Sequence, residues 1–316
     1  MDLHLEQLRT FAAVVDHGSF EAAARRLHVT PSAVSQRMKA LESTIGRVLV
    51  ERAKPARPTP SGRVVLRLAR QVALLATDAF RELGQDSVDP AADPVEFSRI
   101  PIVVNGDSLN TWVLPALAAA ARERVCVDVY REDQDHSVEL LRQGTAMAAV
   151  TSDSRPVQGC AVRPLGRMRY WPMASPEFLR TWLPEGPTVE GLSRAPMLVF
   201  DRQDDLQERY LRRRARRAWD PPCHYVPSSG DFPEAIRLGI GWGMVPEQQR
   251  VRYPAGTLVP IDPEVVVEVP LYWQQWRLDS RLLDVLAECV AAAAAESLDQ
   301  PGSERPGPRK SGETGG

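Results

Sequence analysis

Two helical patterns stand in tandem near the start of the chain. In the first, from Phe20 to Leu27, Ala22, Ala23 and Leu27 form the buried face, and the small Ala23 and Ala24 admit a close neighbour. His28-Val29-Thr30 makes a turn. In the second, Val34, Met38 and Leu41 recur at i, i+4 and i+7 and mark an apolar stripe. Ser32, Ser35, Gln36 and Lys39 fall on other faces, with Arg37 beside them. Thr30 suits the N-cap, and Pro31 suits the first helical position, where a missing N–H is harmless.

The pattern then changes. Ile45 to Arg52 reads as a strand, followed by a Pro-rich turn carrying Lys54 and Arg57 that a short return strand could follow, forming a basic-tipped ribbon. Thr59-Pro60-Ser61-Gly62 leads into a helical run from Arg63 to about Leu83, with Val64, Leu68, Val72, Leu75 and Ala79 in three- and four-residue steps. A lone helix of about 20 residues is marginal in water. Its stripe therefore needs a partner, most economically the same helix of a second subunit.

Residues 84 to 98 are acidic and turn-rich and read as a linker. Beyond them strands and helices alternate. Ile100 to Val104, Val125 to Tyr130 and Ala146 to Val150 read as strands, with helices over Trp112 to Glu123 and Ser137 to Gln143 between them. A second round follows: strand Arg169 to Ala174, helix Pro176 to Leu183, strand Met197 to Phe200, basic helix Leu206 to Ala218, strand His224 to Pro227, helix Asp231 to Leu238 and strand Gly243 to Pro246. Val265 to Gln274 and Ser280 to Leu298 close the pattern as a strand and a helix. This order predicts doubly wound parallel sheets. The residues from Asp299 to Gly316 are rich in Pro, Gly, Ser and charge and read as a disordered tail.

Charge sharpens the first segment. The 316-residue chain carries a net charge of −2, yet Ala22 to Arg63 holds nine Lys or Arg against two acids. A concentrated basic segment suits phosphate contacts, and the split second helix suits the major groove. The expected partner is double-stranded DNA, contacted by Thr30, Pro31, Ser32, Ser35, Gln36, Arg37, Lys39, Arg52 and Arg57. The bland alternative is a helical hairpin with solvated surface charges.

Four scattered cysteines with no CxxC pair read as reduced, mostly buried thiols of a cytosolic protein, and five histidines without ligand spacing argue against a metal site. No cofactor is implied. There is no apolar leader and no stretch suited to a bilayer. Enzyme chemistry lacks its signatures: no Gly-x-Ser-x-Gly elbow supports Ser108 or Ser229 as a nucleophile, and Gly239-Ile240-Gly241-Trp242-Gly243 opens no helix as a dinucleotide fingerprint does. An architectural DNA-binding protein would have little use for so large an α/β region.

Several segments end strands and begin helices where α/β folds bind ligands. Asn105 to Trp112 offers hydroxyls and N–H groups for a carboxylate, with Asp107 placed to meet an ammonium. Thr151 ends a strand, and Ser229 and Asp231 open a helix. Asp133 and Asp201 add acids. The candidate effector contacts are Asp107, Ser108, Thr111, Trp112, Asp133, Thr151, Asp201, Ser229 and Asp231. Donors beside carboxylates suit a cationic amphiphile such as a basic amino acid; the plain alternative is ordinary helix capping.

Leu8 to Phe11, Gly18 to Glu42, the basic ribbon and Thr59 to Gly62 together resemble the N-terminal domain of LysR-type transcriptional regulators. The resemblance implies a winged helix-turn-helix over 1–62, a dimerising linker helix and hinge over 63–98, and a two-lobe α/β effector domain, similar to periplasmic binding proteins, over 99–298. Lobe one would hold 99–167 with 270–298, and lobe two 168–269, with the ligand between lobes. Asn105 to Trp112, Glu132 to His136, Gly144 to Thr151, Arg169-Tyr170, Phe200 to Asp205, Gly239 to Pro246 and Pro270 to Gln274 resemble the LysG/ArgP branch, regulators of a lysine/arginine exporter. That likeness implies L-lysine, L-arginine or a related cation as effector and an exporter promoter as target. The LysR-type resemblance implies dimers that can pair into tetramers, and RNA polymerase is the further partner expected for effector-controlled recruitment. A LysR-type regulator with a different effector is the nearest alternative.

Overall fold

The computed structural model describes residues 3–51, 53–83, 98–131, 134–216 and 219–300. The chain forms two compact units: Met1–Pro164 with Tyr272–Ala293, and Leu165–Leu271 with Ala294–Gly316.

The first unit begins with three helices, α1 (Leu5–His17), α2 (Phe20–Arg26) and α3 (Pro31–Ile45). Each of the last two starts on a hydroxyl cap. Ser19 accepts from the Ala22 N–H at 3.0 Å, and Thr30 accepts from the Ala33 N–H at 3.1 Å. Leu8, Phe11, Val14, Ala23, Val34, Met38 and Leu41 form one buried cluster. A two-stranded antiparallel wing follows, β1 (Val50–Glu51) and β2 (Arg57–Pro58).

The strand expected over Ile45 to Arg52 shrinks to Val50–Glu51 among the described residues. Ile45 continues the Leu41 stripe by one helical step and packs on the same core, and Gly46 ends α3 in the left-handed region. Leu49 is held by its N–H, which donates to Glu42 Oε1 at 2.8 Å.

The long helix α4 (Pro60–Glu82) starts three residues before the expected Arg63. The reason is local. Thr59-Pro60-Ser61 repeats the Thr30-Pro31-Ser32 device, with the Thr59 hydroxyl accepting from the Gly62 N–H at 3.0 Å and donating to the Val48 carbonyl at 2.8 Å. Leu66 and Ala69 join the three-helix core. Val64, Leu68, Leu75, Phe80 and Leu83 stay exposed.

Then come β3 (Ser98–Val104), α5 (Gly106–Thr111), α6 (Val113–Arg122), β4 (Val125–Arg131), α7 (Gln134–Arg142) and β5 (Ala148–Thr151). β3 pairs in parallel with β4 on one side and β5 on the other. Ile100, Ile102, Val103 and Val104 are fully buried, as a strand covered on both faces requires. The helix expected over Trp112 to Glu123 is α6, and a short helix not expected there, α5, precedes it, with Trp112 breaking the turn between them.

Helix α4 is latched onto this layer. Arg67 donates to the Arg142 carbonyl at 3.1 Å and lies 5.2 Å from the centre of the Trp276 ring. Arg70 donates to the Gly144 carbonyl at 3.0 Å. Gly144 adopts φ +68°, and a Cβ there would lie 2.4 Å from the Arg67 Cβ.

The second unit holds α8 (Pro176–Trp182), α9 (Val189–Arg194), β7 (Met197–Val199), α10 (Leu206–Arg214), β8 (Cys223–Tyr225), α11 (Phe232–Arg237), β9 (Gly243–Pro246), α12 (Glu247–Arg250) and β10 (Val259–Pro260). Before these, β6 (Cys160–Ala174) carries the chain from the first unit into the second; after them, β11 (Val267–Trp276) brings it back to α13 (Arg281–Ser297). β7 and β8 run parallel, while β9 and β10 pair antiparallel with β6. β11 is antiparallel to β5 in the first unit. The sheets are therefore mixed, not the all-parallel arrangement expected. Trp171, Met173, Leu198, Phe232, Ile236 and Val245 make this unit's core.

Three further expectations change. β6 starts at Cys160, not Arg169, because residues 160–168 mix buried and exposed positions around Pro164 and Gly166 and carry no clean alternation. Helix α10 stops at Arg214, with Ala215 already extended. Asp299, assigned to a tail, forms an antiparallel bridge with Arg167, and the end of α13 from Ala294 joins the second unit. Residues 301–316, expected as tail, lie outside the described residues.

Gly62 approaches the wing most closely: a Cβ there would lie 2.0 Å from the Leu49 carbonyl oxygen. Gly62→Ala is expected to destabilise the first unit by about 1–3 kcal/mol, read as a lower midpoint in urea unfolding followed by far-ultraviolet circular dichroism.

Candidate functional site

On α3 the polar residues sort by helical position. Ser32, Ser35, Gln36, Lys39 and Ser43 are exposed and follow three- and four-residue steps. Val34, Met38 and Leu41 face the core. The helix thus offers one uninterrupted polar face with short side chains near its N-terminus. Ser43, absent from the sequence-derived set, completes that face one turn beyond Lys39.

Two members of the expected set are placed differently. Arg37 lies off the polar face and pairs with Glu6 of α1 at 3.0 Å, so its guanidinium ties α3 to α1. Thr30 uses its hydroxyl as the α3 cap, with Pro31 exposed beside it at the helix start. Arg57 and Lys54 are exposed in the wing. Arg52 lies outside the described residues.

The strand ends of the first unit form a second cluster. β3 ends at Val104, paired with Val150, so Asn105 to Ser108 and Thr151 emerge side by side from the carboxyl edge of parallel strands. Asn105 caps α5 by accepting from the Ser108 N–H at 2.8 Å. Thr111 donates to the Asp107 carbonyl at 2.5 Å. Thr151 accepts from the Asp153 N–H at 3.1 Å. Ser108 is fully buried, and its hydroxyl has no hydrogen-bond partner. Such a group is an uncompensated polar burial until something meets it. Trp112, 1% exposed, is a core side chain, not an open contact. Asp133 lies outside the described residues.

Asp153 shows how an acid at this edge is neutralised. Arg155 pairs with it at 3.0 Å, and the bonds from Arg155 hold its carboxyl below the usual range. Gln274 fixes the same loop by donating to the Asp153 carbonyl at 2.8 Å and the Arg155 carbonyl at 3.0 Å.

The second unit has its own carboxyl edge, where Val199 of β7 pairs with Tyr225 of β8. Its expected contacts brace the loops. Asp201 Oδ1 accepts from the N–H groups of Gln203 and Asp204, at 2.7 and 3.1 Å. Ser229, 6% exposed, accepts from Gln249 at 3.0 Å. Asp231 accepts from the Ser228 hydroxyl at 2.6 Å and makes no cap bond to α11. Gln249 is the partner that sequence reading missed, because it lies 20 residues away on α12.

The thiols are unpaired, but two of the four, Cys126 and Cys223, are exposed, where mostly buried thiols were expected. Burial pushes the Cys160 thiol up to about 11. Burial, and then Asp220, raise Cys223. A raised thiol is a poor nucleophile at neutral pH. Among the described residues no His, Cys, Asp or Glu group gathers as a metal site, and no helix is long and apolar enough to cross a membrane.

What this arrangement makes is a winged helix-turn-helix protein with an α/β domain behind it. Residues 5–63 match the family described as bacterial regulatory helix-turn-helix protein, lysR family, and residues 98–295 match the LysR substrate binding domain. The chain is 47% identical over 290 residues to the HTH-type transcriptional regulator LysG of Mycobacterium tuberculosis, covering 92% of this chain and 93% of the relative. It is 42% identical over 306 residues to the lysine export transcriptional regulatory protein LysG of Corynebacterium efficiens, covering 94% and 98%. The full-length LysG of Corynebacterium glutamicum, solved with bound effector Arg, is similar in structure with a TM-score of 0.71 and 36% identity, covering 94% of this chain and 100% of that one. The chain belongs to the LysR family of bacterial transcriptional regulators.

Because the Ser108 hydroxyl has no protein partner, Ser108→Ala removes no hydrogen bond. Its unfolding free energy is expected to fall by no more than about 0.5 kcal/mol and to rise where the buried hydroxyl is uncompensated, measured by urea titration. A larger loss would mean that the hydroxyl is satisfied inside the folded protein.

Proposed function

We propose that this regulator responds to a basic amino acid, L-arginine or L-lysine, and controls a gene for amino-acid export. The observation that carries the reading is the first unit's strand-end cluster, where the buried, unpartnered Ser108 hydroxyl stands with Asp107, Thr111 and Thr151. The chain that holds it is 36% identical, along 94% of its length, to a LysG solved with arginine. Hydroxyls and helix-start N–H groups suit the α-carboxylate, and the Asp107 carboxylate suits the ammonium.

The output end is the polar face of α3. Ser32, Ser35, Gln36, Lys39 and Ser43 read base edges, while Arg57 and Lys54 of the wing lie along phosphates. The exposed apolar positions of α4 suit pairing with a second copy, so two recognition helices reach a pseudo-palindrome. The protein acts in the cytoplasm, as a dimer or a pair of dimers, through RNA polymerase at its promoter. It performs no catalysis.

Calorimetric titration of the full chain with L-arginine and L-lysine tests the effector. Saturable heat is expected, lost in Asp107→Ala and weakened in Ser108→Ala. No heat from either amino acid would overturn the basic-amino-acid reading and favour a different effector.

Fluorescence anisotropy on the operator at several salt concentrations tests the output. Gln36→Ala is expected to cost about 1–3 kcal/mol and relax base choice, whereas Arg57→Ala weakens all sequences alike and lowers the salt slope by about 1. A change of base preference in Arg57→Ala would contradict the wing assignment.

A further inference from the structure

A cavity of about 540 Å³ opens between the C-terminal half of α4 and the start of α13. Five carboxylates line it: Asp78 and Glu82 from α4, Asp279 just before α13, and Asp284 and Glu288 on α13. Arg281 is the single cationic side chain in the lining. Asp78 differs from the other four, which are exposed. It is 7% exposed, and its Oδ2 has no hydrogen-bond partner. A carboxylate oxygen buried without a partner is unfavourable, so a cation meeting Asp78 Oδ2 from the cavity removes the imbalance.

The chemistry of that cation follows from the walls. Calcium takes six to eight oxygens at roughly 2.3–2.6 Å, and among the described residues no group of three or more ligating side chains is gathered to hold a metal ion. The acids are instead divided between α4 and the start of α13, and Leu75, Ala79 and Val285 line the same cavity. Apolar walls flanked by separated carboxylates suit methylene stems ending in charged heads. The volume falls in the range of small-molecule sites, roughly 300–1,000 Å³.

We propose that this cavity binds a linear organic dication, of the α,ω-diamine class, with one ammonium on Asp78 and the other among the acids of α13. An α-amino acid fits poorly here, because its carboxylate meets five like charges and only Arg281 as counter-ion. The site is therefore separate from the strand-end cluster and selects for the absence of a carboxylate. A bound dication ties the linker helix α4 to α13.

The test is calorimetric titration of the full chain with 1,5-diaminopentane at low salt. One diamine per chain is expected. Asp78→Asn should weaken binding at least tenfold, and so should the double variant Glu82→Gln/Glu288→Gln, whose exposed positions keep the test valid if Asp78→Asn folds poorly. Saturating L-arginine should leave diamine binding unchanged. Absence of saturable binding to the parent chain, or equal affinity in the parent and both variants, overturns the proposal. So does a loss of self-association in diamine-free Asp78→Asn by sedimentation velocity, which would assign the cavity to a basic side chain of a second copy. The L-arginine titration is read separately, so failure of the diamine leaves the effector reading standing, and the reverse holds too.

Discussion

Arg70 sits where three segments of the first unit meet. It projects from α4, pairs with Asp16 of α1 at 2.5 Å, and donates to the Gly144 carbonyl in the turn between α7 and β5. Only 14% of its side chain is exposed, although Asp16 is 45% exposed, and both bonds are charge-assisted, which makes them stronger than neutral ones. The guanidinium fork reaches two acceptors from one rigid plane. Arg67, one turn earlier, adds the Arg142 carbonyl and the Trp276 ring. Three-helix head, linker helix and α/β layer are thereby held as one body, although no run of sequence joins the contacts.

The arrangement depends on an absent side chain. Gly144 is the residue over which Arg67 passes, and its backbone lies in the left-handed region. Any other residue would meet strain from φ and a collision with Arg67 together. The turn is thus fitted to α4, and α4 is fitted to the head through Leu66 and Ala69.

What the sequence made legible was mostly short-range. Thr30-Pro31-Ser32 names a helix start because cap, ring and first turn lie within three residues, and the Val34–Met38–Leu41 stripe needs only one helix to be seen. The same device at Thr59-Pro60-Ser61 was read as a lead-in, although its hydroxyl caps α4 in the same way. Ile45 is ambiguous in sequence, because a β-branched residue beside Gly46 suits either a helix end or a strand start, and only the core contact decides. Of the candidate effector contacts, strand-end position was legible for Ser108 and Thr151. The partners that settle a role were not: Arg37 finds Glu6, and Ser229 finds Gln249, across separations that no local pattern encodes.

The latch also lies close to the strand-end cluster along the chain. From Gly144 the chain enters β5, whose four residues are all buried and which ends at Thr151. β5 is hydrogen-bonded to β3 on one side and β11 on the other. A buried strand paired on both edges has little room to bend, because close-packed interiors shift as blocks. The same strand follows directly on the turn whose Gly144 carbonyl accepts from the Arg70 guanidinium. The bond to Asp16 begins at that same guanidinium. One buried strand and one arginine therefore link the candidate strand-end cluster to the three-helix head.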